Sequence, residues 1–220
     1  MNIFDIVGPV MVGPSSSHTA GAVKIGFVAR KLLGEPVAKA EVLLHGSFLA
    51  TGRGHGTNIA LIAGLLGMKT DDGRIPNSFA IAAEEGMEFS FGEIDLKNAH
   101  PNAVMLKLTG VSGKYTEIVG ESIGGSLINI SSIDGQEANF SGDYPTLIIY
   151  NKDLPGRLAL VATELARRQI NLATLKVNRS VRGEDAIMII ECDDEVWEDG
   201  IEWFRQLDGV NKVTYYSLED

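Results

Sequence analysis

Cysteine, basic charge and long apolar runs are all scarce in this sequence of 220 residues, and each scarcity excludes a class of protein. The one cysteine, Cys192, excludes an internal disulfide framework, and iron–sulfur clusters are held mainly by several thiolates. The formal net charge of −10 argues against binding to nucleic-acid phosphates and to an anionic membrane surface. The apolar run 59–67 is far shorter than the roughly 20 residues that span a bilayer.

The N-terminal segment MNIFDIVGPV carries Asp5 and no basic residues, so it does not have the pattern of a secretory signal. We therefore expect a cytoplasmic protein with neither a nucleic-acid nor a membrane partner. Of the four histidines, only His45 and His55 are close in sequence, and none of the standard metal-ligand spacings is present. The sequence assigns no metal ligand to this chain.

Turn and periodicity signals divide the chain near residue 145, which predicts a domain over 1–145 and a second over 146–220. The second domain has the order βαββαβ of a ferredoxin-like sandwich. Its strands are expected over 146–151, 171–181, 185–192 and 210–218. Its two helices are expected to bury one face each, formed by Leu158, Val161 and Leu165 and by Trp197, Ile201 and Phe204.

The first domain is predicted to be α+β with an antiparallel sheet. Apolar residues at helical spacing indicate helices over 19–33, around 59–66 and over 78–86. A strand over 40–46 is followed by a predicted glycine-rich loop, 45–58, and four more strand-like runs follow residue 86.

The segment GPSSSHTAG, residues 13–21, places Ser15, Ser16, Ser17, His18 and Thr19 before a predicted helix. One hydroxyl is expected to cap the helix by accepting an orphan backbone N–H. A helix N-terminus with further hydroxyls and an imidazole also suits a carboxylate or phosphate ligand. The pattern favours capping alone and anion binding about equally.

Two further segments carry histidine. HGSFLATGRGHGTN, residues 45–58, sets His55 between glycines, where an imidazole that titrates near neutral pH is a candidate general base. The competing interpretation is a surface histidine in a flexible turn. NAHPNAV, residues 98–104, contains His100 and Asn102 but is typical of an ordinary turn, so by itself it indicates no site.

GPSSSHTAG and GSFLATGRGHGT together resemble the β chain of bacterial iron–sulfur-dependent L-serine dehydratase, and the resemblance covers essentially the whole chain. Residues 146–218 resemble an ACT domain, with KDLPG, a helix and then INLATL. The sheet-forming part of the first domain is similar to the allosteric substrate-binding domain of some 3-phosphoglycerate dehydrogenases.

This resemblance implies a subunit that is inactive alone and that takes part in converting L-serine to pyruvate and ammonia. It implies a four-iron–four-sulfur (4Fe-4S) cluster held by a separate, cysteine-rich α chain, which agrees with the single cysteine here. His55 is the implied base, with His18 as the alternative. The implied substrate-binding residues are Ser15, Ser16, Ser17, Thr19, His100 and Asn102.

The ACT resemblance also implies self-association and an amino-acid effector near Asp153, Gly156 and Asn171. A purely structural, dimerising role is the equally open alternative. Two other functions of the whole chain stay open from the residues alone. One is an amino-acid-sensing module without catalysis, and the other is a stand-alone histidine-metal hydrolase.

Overall fold

A computed structural model describes residues 10–179 and 181–217 of the chain, so most of the N-terminal segment discussed above lies outside the described residues. The chain forms two compact units, Met1–Gly135 and Gln136–Asp220. Within the described ranges, no helix combines the length and apolar character needed to cross a bilayer.

The first unit contains four α-helices and five strands among its described residues, which confirms the predicted α+β class. The helices are α1 Gly21–Leu33, α2 Gly46–His55, α3 Thr57–Leu65 and α4 Ser78–Glu84, with a π-helical turn Ser16–Ala20 and a 3₁₀ turn Ile75–Asn77. The strands are β1 Val37–Leu44, β2 Glu88–Glu93, β3 Ala103–Gly110, β4 Tyr115–Gly124 and β5 Leu127–Ile133.

These strands form a sheet in the order β2-β1-β3-β4-β5. The pairings of β1 with β3, β3 with β4 and β4 with β5 are antiparallel, as predicted. The pairing of β1 with β2 is parallel instead. A parallel pair needs a long crossover between its strands, and α2, α3 and α4 supply that crossover here.

The prediction of a glycine-rich loop over 45–58 is wrong, because these residues form α2 and the start of α3. Only Gly56 separates the two helices, and its φ of 72° ends α2 in the left-handed conformation that glycine adopts readily. Phe48 is fully buried and anchors α2, while the Ser47 N–H donates to the Pro101 carbonyl at 2.6 Å. These tertiary contacts stabilise a helix whose glycines would disfavour it in isolation.

Helices α1 and α3 cross at a pair of glycines. A Cβ on Gly26 would lie 2.4 Å from the Leu61 carbonyl oxygen, and one on Gly64 would lie 2.1 Å from the Val23 carbonyl oxygen. Any side chain would therefore force the two backbones apart. The close crossing brings the π-helical turn before α1 into contact with α3.

The second unit starts with β6 Gln136–Phe140, which the sequence did not predict. The elements that follow are β7 Thr146–Lys152, α5 Arg157–Arg167, β8 Leu172–Arg179, β9 Asp185–Cys192, α6 Glu198–Arg205 and β10 Val210–Tyr216. The sheet order β10-β7-β9-β8, antiparallel throughout, confirms the predicted ferredoxin-like βαββαβ arrangement expected of an ACT domain.

The predicted helix faces are correct at four positions, all buried in the core of the second unit: Val161, Leu165, Ile201 and Phe204. They are wrong at two positions: Leu158 is 43% exposed and Trp197 is 73% exposed. Trp197 precedes α6 as its N-cap. Leu158 lies in the first turn of α5, where side chains lean past the helix end because helical Cα–Cβ bonds point toward the N-terminus.

A buried carboxylate joins the two helices of the second unit. Glu164 on α5 accepts hydrogen bonds from Arg167 and, at 2.8 Å, from Arg168. Arg168 also donates to Asp199 of α6 at 2.6 Å. The hydrogen bonds from Arg167 are the main cause that holds the pKa of Glu164 below its ordinary value, and those from Arg168 contribute further.

We expect Glu164→Gln to lower the free energy of unfolding at pH 7 by on the order of 1 kcal/mol, because it removes charge-assisted hydrogen bonds. A depressed carboxyl pKa stabilises the fold above the unfolded value and ceases to do so as the pH falls through the folded value. The difference between wild type and variant should therefore begin to shrink as the pH falls below the ordinary carboxyl pKa, and disappear once the pH is below the lowered pKa of Glu164 in the folded chain.

Urea unfolding at several pH values measures this difference. Glu198→Gln on α6 is the matched control, because the Glu198 side chain is 76% exposed and its ion pair with Arg205 lies at the surface. An equal loss of stability in both variants, or a difference that persists in acid, would contradict the assignment.

Candidate active site

The π-helical turn carries the serine cluster, and Ser15 caps it. The Ser15 Oγ accepts from the His18 N–H at 3.1 Å, which confirms the capping interpretation for one hydroxyl. The Ser15 carbonyl also accepts from the Thr19 N–H at 2.9 Å. Among the described residues, the hydroxyls of Ser16 and Ser17 have no hydrogen-bond partner. Their carbonyls accept hydrogen bonds from serine side chains in β4 and in the turn between β4 and β5. Two hydroxyls of the cluster thus remain available to a ligand.

Helix α2 presents a polar stripe toward His18. Ser47, Thr51 and His55 recur every four residues, so they lie on one face of the helix. The His18 Nε2 lies 3.1 Å from the Ser47 Oγ and 3.1 Å from the Thr51 Oγ1. The His18 ring stands 5.1 Å from the His55 ring and 5.4 Å from the Phe48 ring, measured between centroids. The two candidate bases therefore lie side by side.

Two buried threonines lock this arrangement by reciprocal bonds. The Thr19 hydroxyl donates to the His55 carbonyl at 3.0 Å, and the Thr57 hydroxyl donates to the His18 carbonyl at 2.9 Å. Each threonine is thus bonded to the backbone of the opposite histidine. Thr19 is brought to the site as predicted, but its hydroxyl is buried and already donated. This arrangement favours a positioning role for Thr19 over direct contact with a substrate.

The hydrogen bond of His55 fixes which of its ring nitrogens is basic. The His55 Nδ1 lies 3.1 Å from the Thr51 carbonyl oxygen, which can only accept, so Nδ1 carries the proton. In the neutral ring, Nε2 then holds the lone pair. The His55 side chain is exposed, so this nitrogen can reach a reactant.

His18 differs electrostatically from its neighbour. Burial is the largest cause that lowers the pKa of His18, and the nearby His55 lowers it further. A hydrogen bond with the Ser47 backbone acts in the opposite direction but does not reverse the shift. The His18 ring is therefore neutral at physiological pH.

The turn that contains His100 and Asn102 is linked to the same site. The Asn102 N–H donates to the His100 Nδ1 at 3.1 Å, and the His100 N–H donates to Glu121 at 3.2 Å. The Asn102 side chain donates to the Ser122 carbonyl at 3.4 Å, and the Ser122 hydroxyl donates to the Ser17 carbonyl at 2.9 Å. Ser122 thus connects this turn to the serine cluster.

Sequence reasoning missed several residues of this region: Ser47, Thr51, Thr57, Glu121 and Ser122. The spacing of Ser47, Thr51 and His55 by four is a helical signal that the neighbouring glycines obscured. Ser122 is distant in the chain from every motif, so no local signal could have found it.

His45 and His55 do not form a metal site. They stand at opposite ends of α2, a separation of roughly 15 Å for ten residues at 1.5 Å each. The His45 Nδ1 instead accepts from the Leu96 N–H at 3.2 Å. Across residues 10–179 and 181–217, no group of three or more His, Cys, Asp or Glu side chains is placed to hold a metal ion.

Cys192 does not offer a thiolate either. It is buried in the second unit, and burial is the main cause that raises its pKa to about 12. A single protonated thiol does not fit the ligand set of an iron–sulfur cluster. The donor groups of this chain therefore do not hold such a cluster.

The three predicted effector residues do not come together within one chain. Asp153 accepts from Arg179 at 2.6 Å and from the Gly183 N–H at 3.0 Å, and Gly156 begins α5 nearby. Asn171 precedes β8 at the other end of the sheet, where it donates to Asp193. Effector binding stays a prediction, and within a single chain it can use Asp153 and Gly156 together but not Asn171.

Known proteins resemble this chain over nearly its full length. Residues 2–82 match the family model described as serine dehydratase beta chain. "Probable L-serine dehydratase, beta chain" of Bacillus subtilis is 39% identical over 97% of this chain and 96% of its own length. "L-serine dehydratase, beta chain" of Peptoniphilus asaccharolyticus is 36% identical over 89% of this chain and 88% of its own length.

A more distant relative, D-3-phosphoglycerate dehydrogenase of Bacillus subtilis, is 28% identical over 90% of this chain and 37% of its own length. The two beta chains cover 97% and 89% of this chain and most of their own length. This chain belongs to the serine dehydratase beta chain family.

Proposed function

We propose that this chain is the subunit of an L-serine dehydratase that supplies the proton-transfer and substrate-orienting side chains. The observation that carries the proposal is the pair of histidines beside the serine cluster, in a chain of this family. The reaction breaks the Cα–H and Cβ–O bonds of serine, forms a Cα=Cβ bond, and releases the α-proton and the hydroxide, which together make one water molecule. The resulting aminoacrylate takes up water and gives pyruvate and ammonia.

His55 removes the α-proton at its Nε2. That nitrogen holds the lone pair because Nδ1–H is donated to the Thr51 carbonyl, and a general base must lie within hydrogen-bond reach of the proton it takes. His18 stays neutral beside it, since a second positive charge would be unfavourable at this separation. This assignment selects His55 over His18 as the base.

The hydroxyls of Ser16 and Ser17 bind the substrate carboxylate. They are the two hydroxyls of the cluster that have no hydrogen-bond partner among the described residues. The Ser15 hydroxyl caps the turn, and the Thr19 hydroxyl donates to the His55 carbonyl. Both side chains therefore hold the turn in place. His100 and Asn102 form the wall that Ser122 ties to the turn. The His100 Nδ1 accepts the bond from the Asn102 N–H, so in the neutral ring Nε2 carries the proton.

A 4Fe-4S cluster, held by a cysteine-rich α chain, would supply Lewis-acid chemistry to this site. The support for a separate α chain is the donor set of this chain, together with the word "beta" in the names of its relatives. The catalytic site is then completed where the two chains meet, which agrees with an exposed His55.

Reconstitution tests the proposal. This chain is purified anaerobically, alone and with the cysteine-rich α chain, and pyruvate release from L-serine is measured. We expect no turnover from either chain alone and turnover from the mixture. Full turnover by this chain alone would contradict the proposal.

The same preparation separates the alternative functions. A sensing module without catalysis predicts that substitutions in 13–19 or 53–57 leave turnover by the mixture unchanged. Stoichiometric metal in this chain purified alone would instead favour the histidine-metal hydrolase.

A further inference from the structure

Thr51 contacts both histidines through two different atoms. Its carbonyl oxygen accepts from the His55 Nδ1–H at 3.1 Å, and its hydroxyl oxygen lies 3.1 Å from the His18 Nε2. The neighbouring hydroxyl of Ser47 also lies 3.1 Å from the same nitrogen. One residue in the middle of α2 thus touches both rings of the candidate active site.

The proton of the Thr51 hydroxyl has an acceptor within its own helix. The Thr51 Oγ1 lies 2.9 Å from the Ser47 carbonyl oxygen, one turn back along α2, and because that oxygen can only accept, a bond between them uses the Thr51 proton. A hydroxyl has a single proton, so toward His18 the Thr51 Oγ1 can only accept. The His18 Nε2 must then carry its own proton, which leaves the lone pair of His18 on Nδ1.

Ser47 does not make this choice by itself. Its hydroxyl can donate to an unprotonated Nε2 or accept from a protonated one, because no carbonyl fixes the direction of its proton. The Ser47 Oγ also lies 3.4 Å from the Thr51 Oγ1, so it can donate there while it accepts from His18. The Thr51 hydroxyl therefore favours the Nε2–H tautomer of His18 where the Ser47 hydroxyl favours neither, and the Ser47 backbone acts in the same direction as Thr51.

We propose that Thr51 is a positioning residue that sets opposite tautomers on the two histidines: Nδ1–H on His55 through its carbonyl, and Nε2–H on His18 through its hydroxyl. As a result, the His55 nitrogen that is directed at the substrate, Nε2, carries the lone pair, and the N–H of the same ring is directed at the Thr51 carbonyl. The His18 Nε2–H is held by α2 and does not compete with the substrate for the base. The catalytic consequence rests on the proposed function, whereas the tautomers do not.

Histidine tautomers can be read directly by long-range ¹H–¹⁵N NMR on the purified chain, which has only four histidines. We expect Nε2–H for His18 and Nδ1–H for His55 in the wild type. Thr51→Val keeps the carbonyl and the branched shape but removes the hydroxyl. In that variant, the Nδ1–H form of His18 should become populated while His55 is unchanged.

In the complex with the α chain, Thr51→Val should lower kcat by on the order of tenfold with little change in KM, because the His18 ring beside the base is then held less well in position. Thr51→Ser restores the hydroxyl and should restore both kcat and the His18 tautomer. Thr163→Val is the matched control, since Thr163 is an exposed helical threonine of α5 in the second unit.

Each of these measurements can contradict the role assigned to Thr51. An unchanged His18 tautomer in Thr51→Val, or a Thr51→Ser variant as impaired as Thr51→Val, overturns the assignment. If the wild-type complex shows no turnover, the proposed function fails, and the NMR result still decides the role of Thr51 by itself.

Discussion

His55→Ala should reduce turnover of the reconstituted enzyme by roughly 10²- to 10⁴-fold, the usual contribution of a positioned general base. The reason is local: the variant removes the nitrogen whose lone pair the Thr51 carbonyl directs outward. The loss should appear in kcat more than in KM, because the proposed carboxylate contacts of Ser16 and Ser17 are retained. Steady-state pyruvate release measures both constants.

The fold should not suffer from this substitution. The His55 side chain is exposed at the last position of α2, and the helix still ends at Gly56. The thermal midpoint and the assembly with the α chain should therefore match the wild type. Added imidazole should recover part of the lost rate if a missing base is the cause. Retained turnover, or lost assembly, would remove His55 from the role of base.

His18→Ala separates the two histidines. The His18 ring packs edge-on against Phe48 and bonds to α2, so its removal should lower both stability and turnover, and imidazole should not restore the rate. Recovery by imidazole in His18→Ala but not in His55→Ala would reverse their roles.

Apart from β6, the second unit could be predicted element by element, because its signals are local. Its strands are β-branched runs between turn residues, and most of its buried residues recur at regular spacing. The exceptions lie at helix starts, as at Leu158 and Trp197, where burial depends on what lies beyond the helix end. Periodicity within a segment carries no information about that surrounding structure.

The first unit was harder to predict around the site. Glycines at positions 46, 52, 54 and 56 indicate a loop by composition, yet α2 forms because Phe48 is buried and the Ser47 N–H has a partner in another loop. The residue types of the site were correctly singled out, but the stripe of Ser47, Thr51 and His55 appears only once the segment is helical. Tertiary contacts therefore determine that this segment is a helix, and the helix in turn aligns the three side chains of the stripe.

Phe48→Ala tests whether one buried ring maintains that helix. Removing a fully buried phenylalanine costs about 3–5 kcal/mol through lost burial and a residual cavity. Leu49→Ala is the matched control, because the adjacent Leu49 is 42% exposed and its truncation should cost well under about 1.5 kcal/mol. The two variants change neighbouring positions of the same helix, so α-helix propensity affects both alike.

Urea unfolding followed by circular dichroism measures the loss in Phe48→Ala. Both tryptophans, Trp197 and Trp203, belong to the second unit, so their fluorescence provides an internal reference for that unit in the same sample. We expect Phe48→Ala to move the dichroism transition to lower urea far more than Leu49→Ala does. Equal shifts in both variants would mean that α2 is held by its backbone contacts at Ser47 and Gly56. The two histidines would then owe their alignment to the hydrogen bonds of Thr19 and Thr57 and to their own bonds with α2, without a contribution from the Phe48 ring.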